Sequence, residues 1–291
     1  MIGISVALAC ALSWAIGSIT IKDLSKKLDP FTLNAPRMLV AGVFLLLLTL
    51  ATGKTRAYAS VTAEKLAFML ASIAVGGGIG DFFYVSSIAR VGVSRAFPVS
   101  STYPAFTLVF GALFLREQID IGVVVGLVAV LGGVLLIGRS SGKREKATTS
   151  SSSAVGVAFA VVTSVCWAAA MILLAPGVEG LDPIVVASIR APALALLLWG
   201  IVACRKTAGE LRKLDRKEWM LLGFGGIIGW GLGSVLFVLS VSLIGPTRTA
   251  ILTSTSTLFA LPLSVIFLKE RVNALVLVGT ALTVAGVIAI F

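Results

Sequence analysis

The sequence predicts an all-α integral membrane protein of ten transmembrane helices, arranged as two inverted repeats of five helices each. Two observations lead to this prediction: the abundance and spacing of apolar residues, and the recurrence of the first half of the chain in the second. Hydrophobic residues make up 58% of the 291 residues, and charged residues only 13%. A soluble globule of this size needs more polar surface, so we expect the chain to lie in a lipid bilayer.

The apolar segments have the length that a membrane helix needs. Each spans about 20 residues, enough to cross a hydrocarbon core of about 30 Å as an α-helix. Ten such segments follow one another at residues 2–21, 32–52, 66–89, 94–115, 119–138, 154–175, 184–204, 218–243, 247–268 and 272–291. The first of them recurs from residue 154 onwards, so it is predicted to be a structural helix and not a cleaved signal peptide.

The two halves correspond at a constant offset of 153 residues, the difference between Trp14 and Trp167. Further pairs at this offset are Asp29-Pro30 with Asp182-Pro183, Arg37 with Arg190, Gly133 with Gly286, and Glu117 with Glu270. Such a long period indicates a duplicated half-protein. We therefore predict a first five-helix repeat over residues 1–138, a flexible basic linker over 139–153 and a second repeat over 154–291. With an odd number of helices in each half, the halves must be inverted relative to each other.

Charge and composition limit the partners of the chain. The formal net charge is +11, but Lys and Arg lie mostly in the short loops between apolar segments, where they set orientation; we expect contact with membrane lipid and none with nucleic acid. Their distribution favours both termini outside. The chain has no histidine, and its three cysteines fall within predicted helices without metal-site spacing, so no metal or other cofactor is expected.

Asp81 is the one acidic residue that the prediction places inside a membrane helix. A carboxylate at this depth is costly unless it is paired, hydrated or protonated, so it is a candidate for proton coupling or substrate binding. The alternative is a structural acid that pairs with Arg37, Arg95 or Arg190. The residue at the same position of the second repeat is Ser234, so the two halves would differ in their response to protons.

Polar and aromatic residues near the middle of several helices suggest a cavity. Ser100 and Tyr103 share one face of the fourth helix, Tyr84 lies one turn beyond Asp81, and the ninth helix offers Thr253 and Ser256. Ordinary helix packing is the alternative for these hydroxyls. Trp14 and Trp167 lie too deep for an interfacial belt, so they are predicted to line the cavity or to pack in the core.

Arg37 and Arg190 recur in the second helix of each half. So near a helix end, their side chains can extend to the membrane interface. The alternative is a pair of cations that contacts an anionic group.

These motifs together resemble the EamA-type exporters of the drug/metabolite transporter superfamily: a Trp in the first helix, Asp-Pro and then Arg around the second, and Leu-Arg-Glu at 115–117 and Leu-Lys-Glu at 268–270 closing the fourth. The resemblance implies a central cavity and export of amino acids or related metabolites across the cytoplasmic membrane of a prokaryote. Many family members keep both termini in the cytoplasm, opposite to the orientation that the loop charges favour. The implied substrate-binding residues are Trp14, Tyr84, Ser100, Tyr103, Trp167, Trp230, Ser234, Phe237, Thr253 and Ser256.

The leading functional prediction is a secondary transporter of small metabolites such as amino acids, working by alternating access, with Asp81 as the proton-coupling residue if protons are coupled. One alternative is an exchanger of anionic phosphates or nucleotide sugars that uses Arg37 and Arg190. Another is a membrane scaffold that transports nothing. An enzyme is not expected, because one buried acid without any histidine is a poor supply of acid and base groups.

Overall fold

The computed structural model describes residues 1–20, 27–91, 99–141, 150–256 and 274–289, together with Leu24, Ala96, Leu258 and Phe259. All secondary structure in these ranges is helical. The α-helices are α1 (Ile2–Ile19), α2 (Pro30–Ala51), α3 (Ala63–Ile73), α4 (Asp81–Val91), α5 (Tyr103–Phe114), α6 (Ile121–Ser141), α7 (Ser150–Val178), α8 (Pro183–Arg205), α9 (Arg216–Gly225), α10 (Gly233–Ser254) and α11 (Ala274–Ala289).

Two kinds of shorter helix interrupt this series. A π-helix joins α3 to α4 over Ala74–Gly80, and a second joins α9 to α10 over Gly226–Leu232. A 3₁₀-helix follows α2 over Lys54–Ser60, and another follows α8 over Ala208–Lys213. Each pair recurs at close to the 153-residue offset, so the two halves of the chain repeat their local structure as well as their sequence.

The all-helical membrane fold is confirmed within these ranges. Five helical stretches are long and apolar enough to cross a membrane: Pro30–Ala51, Ala63–Ser87, Ala154–Val178, Pro183–Arg205 and Arg216–Ser254. Shorter apolar helices lie at Ile2–Gly17, Tyr103–Phe114, Ile121–Leu136 and Val278–Ala289. The count of ten helices stays a prediction, because parts of the predicted fourth, ninth and tenth helices, at residues 94–95, 260–268 and 272–273, lie outside the described ranges.

Two features differ in detail from the expected boundaries. α6 extends to Ser141 and α7 begins at Ser150, so both helices reach into the range 139–153; residues 142–149 lie outside the described ranges, and the linker stays a prediction. The predicted eighth and ninth helices meet within α10, where Gly245 has φ 77° and ψ 166° and Pro246 follows. Glycine adopts this backbone conformation without strain, so the break falls where the sequence allows it.

The helices group into two compact units, and each unit contains segments from both sequence halves. Unit 1 comprises Met1–Ala74 and Leu174–Leu243; unit 2 comprises Val75–Leu173 and Ile244–Phe291. In unit 1, α2 and α8 pack closely, with Gly42 against Pro192. In unit 2, α6 and α11 approach closely where Gly133 faces Gly279 and Thr283. Small residues allow such close approach of membrane helices.

An aspartate caps the start of α2 and another caps the start of α8. Asp29 accepts a hydrogen bond from the backbone N–H of Phe31, and Asp182 accepts one from that of Ile184. In both cases proline follows the aspartate and occupies the first helical position, where its missing N–H costs nothing. An ion pair from Arg205 to Asp29 and one from Lys54 to Asp182 join opposite ends of α2 and α8, so these helices are antiparallel.

We expect Asp182→Ala to destabilise unit 1 by about 1 kcal/mol at pH 7, the usual cost of a lost cap. Burial raises the pKa of Asp182, but hydrogen bonds from Lys54 and from backbone N–H groups, with the Lys54 charge, lower it by more, so the pKa lies below its usual value. This contribution is therefore complete above the unfolded-state pKa of about 3.9 and is lost as pH falls through the lower folded-state pKa.

Thermal unfolding of the wild type, Asp182→Ala and Asp182→Asn at pH 7 and at pH 3 measures this effect. Asparagine keeps the cap and loses the ion pair, so its loss should be the smaller of the two at pH 7. Equal losses for the two variants would contradict a capping role.

Candidate functional site

Asp81 and Trp167 form the central contact of the candidate site in unit 2. The π-helix Ala74–Gly80 ends directly before Asp81, which begins α4. Trp167 in α7 donates a hydrogen bond from its indole nitrogen to Asp81 Oδ1 at 2.9 Å. Both residues are half-buried. The acid is therefore held by a neutral donor, which orients the carboxylate without neutralising its charge.

Aromatic rings surround this hydrogen bond. The ring of Tyr84, one turn after Asp81, lies 5.2 Å from that of Trp167, and the ring of Tyr103 in α5 lies 6.0 Å from it on an edge-to-face contact. The Tyr103 hydroxyl donates to the carbonyl oxygen of Ala250 at 3.2 Å and lies 3.3 Å from Thr253 Oγ1. Five predicted site residues thus form one chain of contacts, the Asp81 cluster: Asp81, Tyr84, Tyr103, Trp167 and Thr253.

Other predicted residues of unit 2 lie outside this chain of contacts. Ser100 is fully buried and donates to the carbonyl oxygen of Ala160 at 3.4 Å, which is a packing contact. Ser256 is half-buried near the end of the described part of its helix. Thr102 and Ser164, by contrast, were not predicted, yet their hydroxyls lie 3.0 Å apart. Thr102 directly precedes Tyr103, and Ser164 lies about one helical turn before Trp167. Their spacing from the two aromatic residues was the available signal.

A second aromatic contact lies in unit 1. The rings of Trp14 in α1 and Phe237 in α10 are 5.5 Å apart, and Trp14 also packs on Gly233, where an added Cβ would lie 2.9 Å from the indole. We call Trp14, Gly233 and Phe237 the Trp14 cluster. Ser234 follows Gly233 and is half-buried; Trp230, also half-buried, lies in the second π-helix.

The two clusters are the same arrangement built twice. At the 153-residue offset Trp14 corresponds to Trp167, Gly233 to Gly80 and Phe237 to Tyr84. The thiol of Cys10 contacts the carbonyl oxygen of Gly233, as the hydroxyl of the corresponding Thr163 contacts that of Gly80. Each half therefore supplies a tryptophan helix that packs on a glycine of the other half. What distinguishes the Asp81 cluster is the carboxylate, since Ser234 takes its place in the other copy.

The two repeated arginines of unit 1 are buried. Arg37 donates to the Asn34 side chain at 2.8 Å and to the carbonyl oxygen of Gly17 at 3.3 Å. Arg190 donates to Ser72 Oγ at 3.3 Å and lies 5.9 Å from the centre of the Phe237 ring. Their exposures of 4% and 7% are not those of side chains that extend to the membrane interface. These acceptors are neutral, so the contact with an anionic group remains a prediction.

We expect Gly80→Ala to disturb the Asp81 cluster. An added Cβ would lie 2.9 Å from Trp167 Cδ1 and 3.1 Å from its indole nitrogen, so the ring that donates to Asp81 must move. Overpacking of this kind costs about 1–3 kcal/mol. Gly223→Ala is the control, because an added Cβ there meets nothing within 4 Å. The unfolding temperature and the transport rate should be lower for Gly80→Ala than for Gly223→Ala. Equal values for the two variants would contradict the close packing of Gly80 on Trp167.

Comparison with known proteins gives a consistent result along the whole chain. The chain matches the EamA-like transporter family over residues 1–139 and 154–291. It is 27% identical to an uncharacterized transporter of Archaeoglobus fulgidus, across 99% of this chain and 97% of that protein. It is 25% identical to the uncharacterized inner membrane transporter YhbE of Escherichia coli K12, across 47% of this chain and 43% of that protein.

A solved crystal structure shares the fold. It superposes with a TM-score of 0.82 at 16% sequence identity and covers 99% of this chain and 94% of that one. At this identity the likeness shows the fold alone. The family match over both halves, the apolar helices and the transporter relatives agree that this is an integral membrane transporter and not an enzyme. The chain belongs to the EamA-like transporter family of the drug/metabolite transporter superfamily.

Proposed function

We propose that the protein is a secondary transporter that exports small metabolites such as amino acids by alternating access. The single observation that favours this substrate class is the Asp81 cluster. A carboxylate hydrogen-bonded by one indole and flanked by tyrosine rings suits an ammonium group, which a carboxylate attracts and aromatic faces stabilise. The hydroxyls of Tyr103 and Thr253 lie close enough to supply hydrogen bonds to the rest of a small polar ligand.

The repeated contacts support a mechanism based on two inverted five-helix repeats, over residues 1–138 and 154–291. A two-fold relation between the halves makes each tryptophan helix pack on the other half, as Trp14 does with Gly233 and Trp167 with Gly80. In transporters of this construction, the substrate site lies near the middle of the membrane, and the repeats alternate its access between the two sides.

Proton coupling at Asp81 is part of this proposal. An acid in a membrane-spanning helix often lies on a proton or substrate pathway. The corresponding residue of the other half is Ser234, which cannot carry a proton in the same way. A single titratable carboxylate allows one proton to be exchanged for one cationic group at the same place. The archaeal and bacterial relatives favour the cytoplasmic membrane of a prokaryote as its location.

Counterflow in proteoliposomes tests the substrate class. The vesicles are loaded with one unlabelled compound at a time, and entry of the labelled compound is measured for amino acids, their decarboxylated amines, their deaminated acids, and sugar phosphates. The proposal expects counterflow for compounds with an ammonium group and none for the deaminated acids. Counterflow of phosphates alone would favour the anion exchanger with Arg37 and Arg190, and no counterflow at all would favour a scaffold.

A further inference from the structure

The loop between α8 and α9 carries an exposed group of cations. Lys206 ends α8, Arg212 and Lys213 lie at the end of the 3₁₀-helix Ala208–Lys213, and Arg216 and Lys217 begin α9. All five side chains are exposed. We call this group the basic surface: Lys206, Arg212, Lys213, Arg216 and Lys217.

The basic surface is held in a fixed position by apolar packing beneath it. Leu211, in the middle of the 3₁₀-helix, is 6% exposed and packs with a cluster of buried leucines: Leu24, Leu28, Leu33 and Leu222. Asp215 and Glu218 form a capping box that fixes the start of α9. The cations on this loop are therefore presented by an ordered scaffold.

Two acids of unit 1 near this loop are already engaged in other ion pairs. Asp29 pairs with Arg205 at 2.9 Å, and Glu218 pairs with Lys27 at 2.5 Å. Within the described ranges, the ion pairs of unit 1 include none of the five cations of the basic surface.

The corresponding loop of the first half provides an internal comparison. It has the same 3₁₀-helix, Lys54–Ser60, at the other end of α8. At the 153-residue offset the five basic positions become Gly53, Ala59, Ser60, Ala63 and Glu64. The local fold therefore forms without these charges, so the 3₁₀-helix does not depend on them.

We propose that the basic surface binds the headgroups of anionic phospholipids. Trp219, one turn into α9 and 43% exposed, is the kind of side chain that lies at headgroup depth, which places Arg216 and Lys217 at the level of the lipid phosphates. Basic residues next to a membrane helix attract anionic headgroups. α1 runs from Met1 towards the Leu24 side of this surface, so Met1 lies at the opposite membrane face from the bound anionic leaflet.

The test uses the purified full-length protein in neutral detergent. Thermal unfolding is followed as phosphatidylglycerol or phosphatidylcholine is added, at 0.1 M and at 1 M NaCl. The variant carries Arg212→Gln, Lys213→Gln, Arg216→Gln and Lys217→Gln; Lys206 is kept because its φ of 57° is restrictive. The control variant carries Arg56→Gln, which replaces an exposed cation of the loop after α2.

The wild type and the control should be stabilised by phosphatidylglycerol well beyond phosphatidylcholine. In the four-residue variant the half-saturating amount should rise at least about tenfold, and 1 M salt should weaken the response of the wild type. Equal responses to both lipids, an unchanged response in the variant or insensitivity to salt would overturn the proposal. The same stabilisation by free inorganic phosphate would also overturn it. If the variant does not fold, the lipid and salt comparisons on the wild type decide.

Discussion

Asp81→Asn should abolish the stimulation of transport by a pH gradient and leave the fold intact. Asparagine matches aspartate in size and can still accept the hydrogen bond from Trp167 at this position, but it cannot take up or release a proton. If protons and substrate are coupled through Asp81, an imposed pH gradient changes the transport rate of the wild type, because the gradient drives proton release or uptake at this carboxylate. Because asparagine also lacks the charge that attracts an ammonium group, the variant should transport more slowly than the wild type, and the transport that remains should have the same rate with and without the gradient.

The assay is uptake of labelled substrate by proteoliposomes at matched protein density. Glu64→Gln is the matched control, since it removes one negative charge from the exposed first turn of α3. Trp167→Phe is a further test, because it keeps an aromatic ring and removes the indole N–H that orients the carboxylate. Its transport should fall while the response to the gradient remains. A gradient response that survives in Asp81→Asn would reduce Asp81 to a structural role.

Gly133→Ala should be among the most destabilising small substitutions in unit 2. The added Cβ would collide with the Thr283 hydroxyl and the Gly279 carbonyl oxygen and would lie 2.8 Å from the Thr283 amide nitrogen. Backbone atoms of a packed helix cannot move aside as the tip of a side chain can, so α6 and α11 must separate. The expected cost is about 1–3 kcal/mol, and Gly133→Leu should prevent folding.

Gly200→Ala in α8 is the matched control, because an added Cβ there meets nothing within 4 Å. It should leave the unfolding temperature unchanged or raise it slightly, since alanine reduces the freedom of the unfolded chain. Thermal unfolding of both variants in the same detergent makes the comparison. A Gly133→Ala protein as stable as Gly200→Ala would contradict the close crossing of α6 and α11.

Local chemistry explains which elements were predictable. Asp29-Pro30 and Asp182-Pro183 predict helix starts, because a carboxylate cap and a proline at the first helical position favour the helix through contacts within a few residues. The apolar segments likewise predict helices from length and composition alone. Neither signal indicates where an α-helix changes into a π-helix, so the π-helices before Asp81 and Gly233 were not expected.

Contacts between distant helices were harder to predict. The positions of Trp14 and Trp167 deep within their helices indicated that they face inward. Their packing against Gly233 and Gly80 depends on the tertiary structure, which the sequence alone does not give. The repeat could have helped to identify these partners, since a contact between the two halves should recur with both residues shifted by 153 positions. The burial of Arg37 and Arg190 could not be predicted from the sequence either. A long cationic side chain near a helix end can extend to the membrane interface or fold into the protein interior.

The most direct test of the proposed transport mechanism is proton movement driven by substrate. Proteoliposomes that contain a trapped pH-sensitive dye and no imposed gradient receive an amino acid that supports counterflow. We expect a change of internal pH with the wild type and none with Asp81→Asn, at comparable amounts of reconstituted protein. Substrate entry with no change of internal pH in the wild type would contradict proton coupling through Asp81.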